Sequence, residues 1–496
     1  MLLRLATSIA GALAAYVLYR ILKIVHAELT SPLRYLPGPK SKHWFFGHDK
    51  ELRARASGVE ERWVERYGRV IRLHQLLSRS QLYIADTKAL HHILASTHIY
   101  QKSEPVRFSL GRIVGEGLLV VEGDVHRQQN PAFGAPQIRE LTGIFVEKSI
   151  QLRDIWATQI SGDGGIARVE IVSWLSKATL DIIGLADRPD ELSAAFDVLF
   201  RTETQFSLMR AIQAFCPIFR PIPLPIDKIS RQSHATMRRI GRELLADSKR
   251  DIAETGTFET GQARDLLNLL VPTFFIAGHE TTSTAMAWAL FALTQNMGAQ
   301  ARLREELLSV ETDSPSMEDL NSLPYLDCVV RETLRANAPV TNTSRIALCD
   351  DIVPLSTPFT DTRGTVQETL RIRKGDTIIV PILALNRDKE IWGPDAMEFI
   401  PERWESATPI SNALPTMWGQ MLTFLGGPRG CIGYRFSLVE MKALLFTLVR
   451  SFEFELAVPI TDIGKRPVGV VQKPFLIGDP DAGNQLPLLV RPAARL

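Results

Sequence analysis

The longest apolar run in the sequence lies near the start of the chain. Residues 5–25 are almost all apolar, and the run is broken by Arg20 and Lys23. As an α-helix, this stretch would be about 30 Å long, which matches the hydrocarbon core of a bilayer. Positive residues are more numerous after the run than before it, which favours a cytoplasmic position for the rest of the chain. The pattern predicts a single-pass membrane anchor over residues 1–26.

A cleaved signal peptide is the alternative for this segment. Ala12-Leu13-Ala14 has the small residues of a cleavage site. However, the apolar run continues past that site, and positive charge is heavier after it. We therefore expect the segment to remain as an anchor.

A linker and a small sheet are predicted next. Pro37-Gly38-Pro39 is typical of a stiff connection, so residues 27–45 are assigned to a proline-rich linker. Apolar and polar residues then alternate between 70 and 85, which predicts strands of a small β-sheet. The apolar positions are Ile71, Leu73, Leu82 and Ile84.

Helical patterns dominate the remaining chain. Residues 144–251 indicate several helices, interrupted by a group of prolines between 217 and 225. Apolar stretches from Phe274 to about Asn296 and after Gly433 predict long buried helices. Residues 375–381 are rich in β-branched side chains and predict a further strand. The expected fold is mainly α with small β-sheets, in a single large domain over residues 46–496.

Composition narrows the class of protein. The 496 residues are 45% hydrophobic and 23% charged, with a net charge of +2, which does not suggest a nucleic-acid-binding protein. The four cysteines have neither the spacing of a metal finger nor that of a disulfide framework, which fits a reducing compartment. They are Cys216, Cys328, Cys349 and Cys431.

The strongest chemical signal surrounds the last of these cysteines. The loop reads Phe424-Leu425-Gly426-Gly427-Pro428-Arg429-Gly430-Cys431-Ile432-Gly433. Its glycines let the backbone approach a flat, bulky group, and the helix predicted after it would favour a thiolate at Cys431. A thiolate in such a turn is a ligand for a soft metal centre such as haem iron. A lone cysteine is more often a small buried apolar side chain, but this pattern fixes five positions.

A second motif lies in the long apolar helix. Ala277-Gly278-His279-Glu280-Thr281 places a carboxylate and a hydroxyl side by side, and both are costly to bury without partners. The simplest structural alternative is that Thr281 bonds back to the carbonyl four residues earlier and bends the helix.

These motifs together resemble the cytochrome P-450 family, and the resemblance covers nearly everything after the anchor. It implies the P-450 fold and a haem b whose iron is ligated by Cys431, with Phe424 in the same haem-binding loop. It also implies that Arg345, Arg429 and His126 bind the haem. A network of Glu332, Arg335 and Arg403 would hold the cysteine loop in place.

The resemblance further implies a haem-thiolate monooxygenase that inserts one atom of O₂ into a small, hydrophobic organic substrate. Glu280 and Thr281 would deliver protons. Electrons would come from an NADPH-cytochrome P-450 reductase, with cytochrome b5 as a second candidate donor, and Arg435 and Lys442 could form its docking face. The expected location is the endoplasmic reticulum membrane. The alternatives are a haem-thiolate isomerase or dehydratase that does not use O₂, and a non-catalytic haem-binding protein.

Two stretches look shortened relative to the family pattern. One follows His126, and the other lies between Asp265 and Ala277. The flanking motifs are intact, which is what an exon skipped in a gene model would leave. Sequencing the transcript across residues 126–133 and 265–275 tests this interpretation. For the chain as written, we expect the long helix to begin close to Pro272, a favourable residue for a first helical turn.

Overall fold

The computed structural model describes residues 2–48, 51–52, 58–115, 117–122, 134–182, 208–255, 261–405 and 414–493. In this part of the chain the fold is mainly helical with small sheets, as predicted. The chain divides into two units, each described here by itself. The sheet unit comprises Met1–Gln101, Asn342–Pro381 and Ala413–Pro415, and the helical unit comprises Lys102–Thr341, Ile382–Asn412 and Thr416–Leu496.

The described α-helices are α1 (Leu2–Thr30), α2 (Val59–Tyr67), α3 (Thr87–Ala95), α4 (Glu104–Val114), α5 (Ala135–Gly162), α6 (Ile171–Leu180), α7 (Leu208–Phe215), α8 (Pro225–Thr255), α9 (Gly261–Gln295), α10 (Met297–Leu308), α11 (Met317–Asn321), α12 (Pro324–Ala336), α13 (Ile382–Asn386), α14 (Lys389–Trp392) and α15 (Tyr434–Ser451).

The described strands are β1 (Val70–His74), β2 (Ser80–Ile84), β3 (Tyr100–Gln101), β4 (Ala167–Glu170), β5 (Thr343–Ala347), β6 (Asp351–Thr360), β7 (Val366–Ile372), β8 (Thr377–Val380), β9 (Phe452–Leu456), β10 (Ile463–Val468), β11 (Val471–Leu476) and β12 (Pro487–Pro492).

The sheet unit is built on five strands in the order β1-β2-β8-β5-β3. Strands β1 and β2 form an antiparallel hairpin, and β2 then pairs with β8 in parallel. The predicted strands are confirmed, and their four apolar positions are at most 1% exposed. In β2 the intervening Gln81 and Tyr83 are buried as well, so both faces of this strand are covered. Strands β6 and β7 form a separate antiparallel pair.

The helical unit has one large apolar core. It draws mainly on α5, α6, α9, α10, α12 and α15, with Trp156, Phe145 and Phe446 among its largest buried side chains. A three-stranded sheet in the order β4-β12-β9 and the hairpin β10-β11 complete this unit. The predicted interruption of the helices by the proline group is confirmed, because α7 ends at Phe215, α8 begins at Pro225, and a 3₁₀ turn lies between them.

The expected start of the long helix is wrong. Helix α9 begins at Gly261 and runs through Pro272, whose missing N–H costs one internal hydrogen bond. The residues before the proline, 266–271, are mostly leucine, a good helix former. Helical preference on both sides of Pro272 therefore continues the helix through it.

The Pro37-Gly38-Pro39 segment lies directly against strand β1. The Arg72 N–H donates a 2.8 Å hydrogen bond to the Pro37 carbonyl. A Cβ atom added to Gly38 would lie 2.2 Å from the carbonyl oxygen of Arg72, so a larger residue does not fit. The predicted boundaries of anchor and linker, at residues 26 and 45, stay predictions. Among the helices described, none is both long and apolar enough to cross a membrane.

We predict that Gly38→Ala destabilises the protein by about 1–3 kcal/mol, because the new methyl group meets backbone that moves only with the whole sheet. Gly143→Ala is the matched control, since a Cβ there has no neighbour within 4 Å. Gly143 lies inside α5, so this change should leave stability unchanged or raise it by up to about 1 kcal/mol. Urea unfolding measures both free energies. Equal values for the two variants would contradict the proposed close approach.

Candidate functional site

The cysteine loop is held by its own backbone hydrogen bonds. The Cys431 N–H donates to the Phe424 carbonyl at 2.9 Å, and the Gly430 N–H donates to the Gly427 carbonyl at 3.0 Å. Leu425 has a φ of 54°, in the left-handed region that non-glycine residues rarely adopt. Its carbonyl accepts a 3.0 Å bond from the Met417 N–H. These bonds fix the backbone conformation of the loop and with it the position of Cys431.

Cys431 precedes the buried helix, as predicted, but the expected lowering of its pKa is wrong. Helix α15 begins at Tyr434, three residues later, with Gly433 as its cap. Cys431 is an exposed residue, yet the surrounding protein limits the hydration of its thiol. This burial raises the pKa of the thiol, and a backbone hydrogen bond from Gly433 lowers it less. The helix terminus alone therefore does not stabilise a thiolate, whereas a bound metal deprotonates a coordinating thiol directly.

The donor set fits a haem with one protein ligand. Cys431 is a free thiol with exposed surface on a braced turn. Within the described ranges, no group of three or more His, Cys, Asp or Glu side chains could hold a metal ion. A metal that takes its remaining ligands from a porphyrin needs only the thiolate, so the residues present suit haem iron.

Two other predicted haem residues belong to the same loop. Phe424 is buried and has edge contacts with the ring of Trp418 at 5.7 Å and a tilted contact with Tyr434 at 6.0 Å. The Arg429 guanidinium forms an ion pair with Glu122 and donates a 3.1 Å hydrogen bond to the Val121 carbonyl. Glu122 was not singled out from the sequence. A carboxylate is thus already held by Arg429 in this structure.

The roles predicted for the remaining two haem residues stay predictions. Arg345 belongs to the sheet unit, where it lies buried on β5 and donates to Thr343 Oγ1 at 3.0 Å and the Ser344 carbonyl at 2.8 Å. His126 lies outside the described residues.

In helix α9, Thr281 and Glu280 point to different partners. The Thr281 hydroxyl donates to the Ala277 carbonyl at 2.7 Å, which is the back-bonding expected from its sequence position. Glu280 is buried, and its Oε1 lies 2.6 Å from Nζ of Lys473 on strand β11. The Nε2 atom of His279 lies 3.4 Å from the other carboxylate oxygen.

The charge state of Glu280 follows from these neighbours. Burial by itself raises the pKa of this carboxyl, but the charge of Lys473 and then that of His279 outweigh it. The net effect is a pKa below the ordinary value. Lys473 was missed at the sequence level, although a signal exists. Val471, Lys473 and Phe475 alternate along a strand, which places the lysine on an apolar face.

The predicted network of Glu332 and Arg335 is confirmed. Arg335 donates to both oxygens of Glu332, at 2.8 Å and 2.7 Å, and both side chains are completely buried. Arg403 approaches Glu332 at 3.6 Å. The indole N–H of Trp404 also donates to Glu332 at 3.0 Å, a contact that the sequence reading missed.

This network is connected to the cysteine loop by hydrogen bonds. Arg335 donates to the Asn386 carbonyl at 2.9 Å. The Asn386 side chain in turn accepts from the Leu422 N–H at 2.9 Å and donates to Thr423 Oγ1 at 2.8 Å. Leu422 and Thr423 immediately precede Phe424, whose carbonyl receives the Cys431 N–H.

Helix α15 buries two charged-type side chains that the sequence did not predict to be buried. Lys442 was expected on a surface that could dock a partner, but it is buried and pairs with Asp327 at 2.8 Å. Glu440 is completely buried, and neither of its carboxyl oxygens has a well-aligned hydrogen bond. Burial raises the pKa of Glu440 well above its ordinary value, and the nearby Thr282 hydroxyl opposes this only in part.

Comparisons with known proteins identify the family of this chain. The model of the cytochrome P450 family matches residues 37–477. Cytochrome P450 monooxygenase 205 of Postia placenta is 46% identical, covering 98% of this chain and 97% of that protein. Cytochrome P450 monooxygenase 128 of the same fungus is 45% identical with 98% of each chain covered, and monooxygenase claP of Ampulloclitocybe clavipes is 32% identical over 95% and 94%.

The chain therefore belongs to the cytochrome P450 family. The predictions of a haem-thiolate monooxygenase and of haem b as its cofactor are confirmed at this level. The alignment with monooxygenase 205 spans 530 positions, 34 more than the 496 residues of this chain. That relative thus has residues without a counterpart here.

We predict that Glu440→Gln removes a pH-dependent loss of stability. A carboxyl whose pKa is raised by folding keeps its proton in the folded state after the unfolded state has lost it. Stability then falls as the pH rises above the ordinary value of 4.5. Relative to Glu440→Gln, the wild type should lose up to about 1.4 kcal/mol per pH unit as the pH rises above 4.5.

Urea unfolding across this pH range measures the difference. Glu243→Gln is the control, because Glu243 is an exposed helical residue with a side chain 45% exposed. It should give a curve parallel to that of the wild type. A parallel curve for Glu440→Gln as well would show that Glu440 ionises alike in the folded and unfolded states.

Proposed function

We propose that this protein inserts one atom of O₂ into a small hydrophobic substrate, with Cys431 as the only protein ligand of the haem iron. The observation that carries this proposal is the free Cys431 thiol on a turn braced from Phe424 and Leu425. Bound haem supplies the activation of O₂ and the transfer of electrons. The protein holds the ligand, orients the substrate and excludes water.

Proton delivery is assigned to Glu280 and Thr281. Glu280 is a buried carboxylate that can take up and release a proton, and Thr281 is the next residue in the same helix. The Thr281 hydroxyl donates its hydrogen to the Ala277 carbonyl, so the lone pairs of its oxygen remain able to accept a hydrogen bond from a water molecule.

We further propose that Phe424, Arg429, Arg345 and His126 bind the haem. Arginine suits a propionate because its planar fork matches a carboxylate. Arg429 already binds the carboxylate of Glu122, which supports this preference but also means that a propionate would share or replace that partner. The proposed electron donor is an NADPH-cytochrome P-450 reductase, with cytochrome b5 as a second candidate. Since Lys442 is buried, Arg435 is the remaining exposed candidate for that docking face.

Association with the endoplasmic reticulum membrane is proposed for helix α1. Leu18, Leu22, Val25 and Leu29 are 47–60% exposed and recur at helical spacing, so they form one apolar stripe. Glu28, within the same C-terminal part of the helix, accepts hydrogen bonds from the N–H and hydroxyl of Ser80, both at 2.6 Å. The stripe is therefore open to lipid although the end of the helix that carries it is attached to the sheet unit.

We predict that Cys431→Ala abolishes the thiolate-type Soret band of the reduced, CO-bound protein. Cys349→Ala is the control, because Cys349 is also a free and exposed thiol. It should keep the band. Survival of the band in Cys431→Ala would refute the assignment of the ligand. Consumption of O₂ by the wild type with NADPH, reductase and a panel of lipids, terpenoids and aromatics then separates monooxygenation from isomerisation or dehydration.

We predict that deleting residues 1–25 releases the protein from membranes without loss of the CO spectrum. The reason is that the apolar stripe on α1 would supply most of the lipid contact. A full-length variant with serine at positions 18, 22 and 29 keeps the length and charge and should also be released. Alkaline carbonate extraction measures the bound fraction. Release of the unaltered full-length protein would rule out a firm anchor.

A further inference from the structure

Glu280 is held from outside its own helix by a lysine on a β-hairpin. Nζ of Lys473 lies 2.6 Å from Glu280 Oε1, and the two side chains are only 8% and 4% exposed. Lys473 belongs to β11, which pairs with β10 to form the hairpin. The contact departs from ideal hydrogen-bond angles at Oε1. It is thus an ion pair whose strength comes mainly from charge in a dry environment.

The other groups around this pair cannot take over the role of Lys473. His279 approaches the second carboxylate oxygen at 3.4 Å, but its Nε2 also lies 3.2 Å from the Ser176 hydroxyl on α6. Arg466 is opposite Lys473 in the hairpin register, yet its guanidinium donates to Asn484 at 2.8 Å and the Pro480 carbonyl at 2.9 Å. Lys473 is therefore the principal cation of Glu280.

A second carboxylate lies within the influence of the same lysine. Glu170 caps the start of α6, accepting from the N–H groups of Val172, Ser173 and Leu486. Burial raises the pKa of Glu170, while these hydrogen bonds and the charge of Lys473 lower it in part. The charge of Lys473 thus acts on a capping carboxylate as well as on the proposed proton donor, and its ion pair with Glu280 links the hairpin to α9.

We propose that Lys473 is a positioning residue for Glu280: its ammonium holds the carboxylate at one place beside the hairpin and keeps it charged between proton transfers. This inference rests on the proposed function of Glu280. In each cycle Glu280 takes up one proton from the solvent and passes it to a water molecule beside Thr281, so it ends each cycle charged as it began, while Lys473 stays protonated throughout.

The electrostatic part of this proposal is tested without turnover, by infrared spectroscopy of the purified haem protein. Wild type and Lys473→Arg should show no protonated carboxyl band from Glu280 at neutral pH, because a cation remains beside it. Lys473→Met should gain such a band, and Glu280→Gln/Lys473→Met should lack it. Glu440 also contributes a protonated band, but it is common to all variants and cancels in the difference. A spectrum of Lys473→Met identical to that of the double variant would overturn the proposal.

The functional part is tested by peroxide released per NADPH in the presence of a fungal NADPH-dependent reductase. Lys473→Met should raise this ratio and shift its pH profile. If Glu280 is the proton donor, the product yield of Lys473→Met should also fall by about tenfold. Lys473→Arg should have the wild-type profile, because it keeps a cation beside Glu280. In the Glu280→Gln background, Lys473→Met should add nothing. An additive effect there would show that Lys473 acts only on the fold, and the proposal would be wrong.

The design separates the failure modes. If Lys473→Met does not fold, Lys473→Arg and the double variant, which leaves no unpaired charge, still test the pair. If the infrared result holds but O₂ is not consumed, the function proposed for Glu280 is wrong while its positioning by Lys473 stands. If Cys431→Ala abolishes the CO spectrum and Lys473→Met changes no band, only the present inference fails.

Discussion

The buried pair of Glu332 and Arg335 is the constraint on which the helical unit depends. Two opposite charges that are 0% exposed can persist only if every remaining donor and acceptor is satisfied. Arg335 meets this requirement by donating to the carbonyls of Asn386, Ala396 and Glu398, and Glu332 by accepting from the Ile400 N–H and the Trp404 indole. These hydrogen bonds hold residues 386–404 against α12. The Asn386 side chain in turn positions the residues before Phe424, and Phe424 positions Cys431.

The same helical layer holds two carboxylic acids in opposite states. Glu280 and Glu440 are both buried, and burial raises the pKa of each. Lys473 and then His279 reverse the shift of the pKa for Glu280, whereas only a hydroxyl group opposes it for Glu440. The chain therefore keeps one acid charged and the other neutral through the groups placed beside each. Carboxylic acids with different protonation states are common at sites of proton transfer, because a proton donor and a proton acceptor need different pKa values.

The sequence predicted those parts of the site that depend on local spacing. The cysteine loop lies within one short segment of the chain, and so does the i, i+3 pair of Glu332 and Arg335. The apolar positions of the hairpin β1-β2 recur every second residue. What it missed depends on tertiary contacts. Lys473 lies almost two hundred residues from Glu280, and Glu122 more than three hundred from Arg429. Lys442 was taken for a surface residue because helical spacing alone does not reveal Asp327 beside it. The start of α9 was misplaced because leucine-rich sequence outweighed the local preference of a proline.

The central sheet has a consequence for synthesis of the protein. Strands β1 and β2 are made early, but the partner of the outer edge of β2 is β8, at Thr377–Val380. Ribosomes add about 5–20 residues per second, so that edge stays unpaired for on the order of 15–60 s after it emerges. An unpaired edge with buried-type side chains such as Leu82 and Ile84 invites pairing with other chains. Until β8 has been made, the exposed edge of this hairpin therefore needs protection from other chains, which is a task for chaperones.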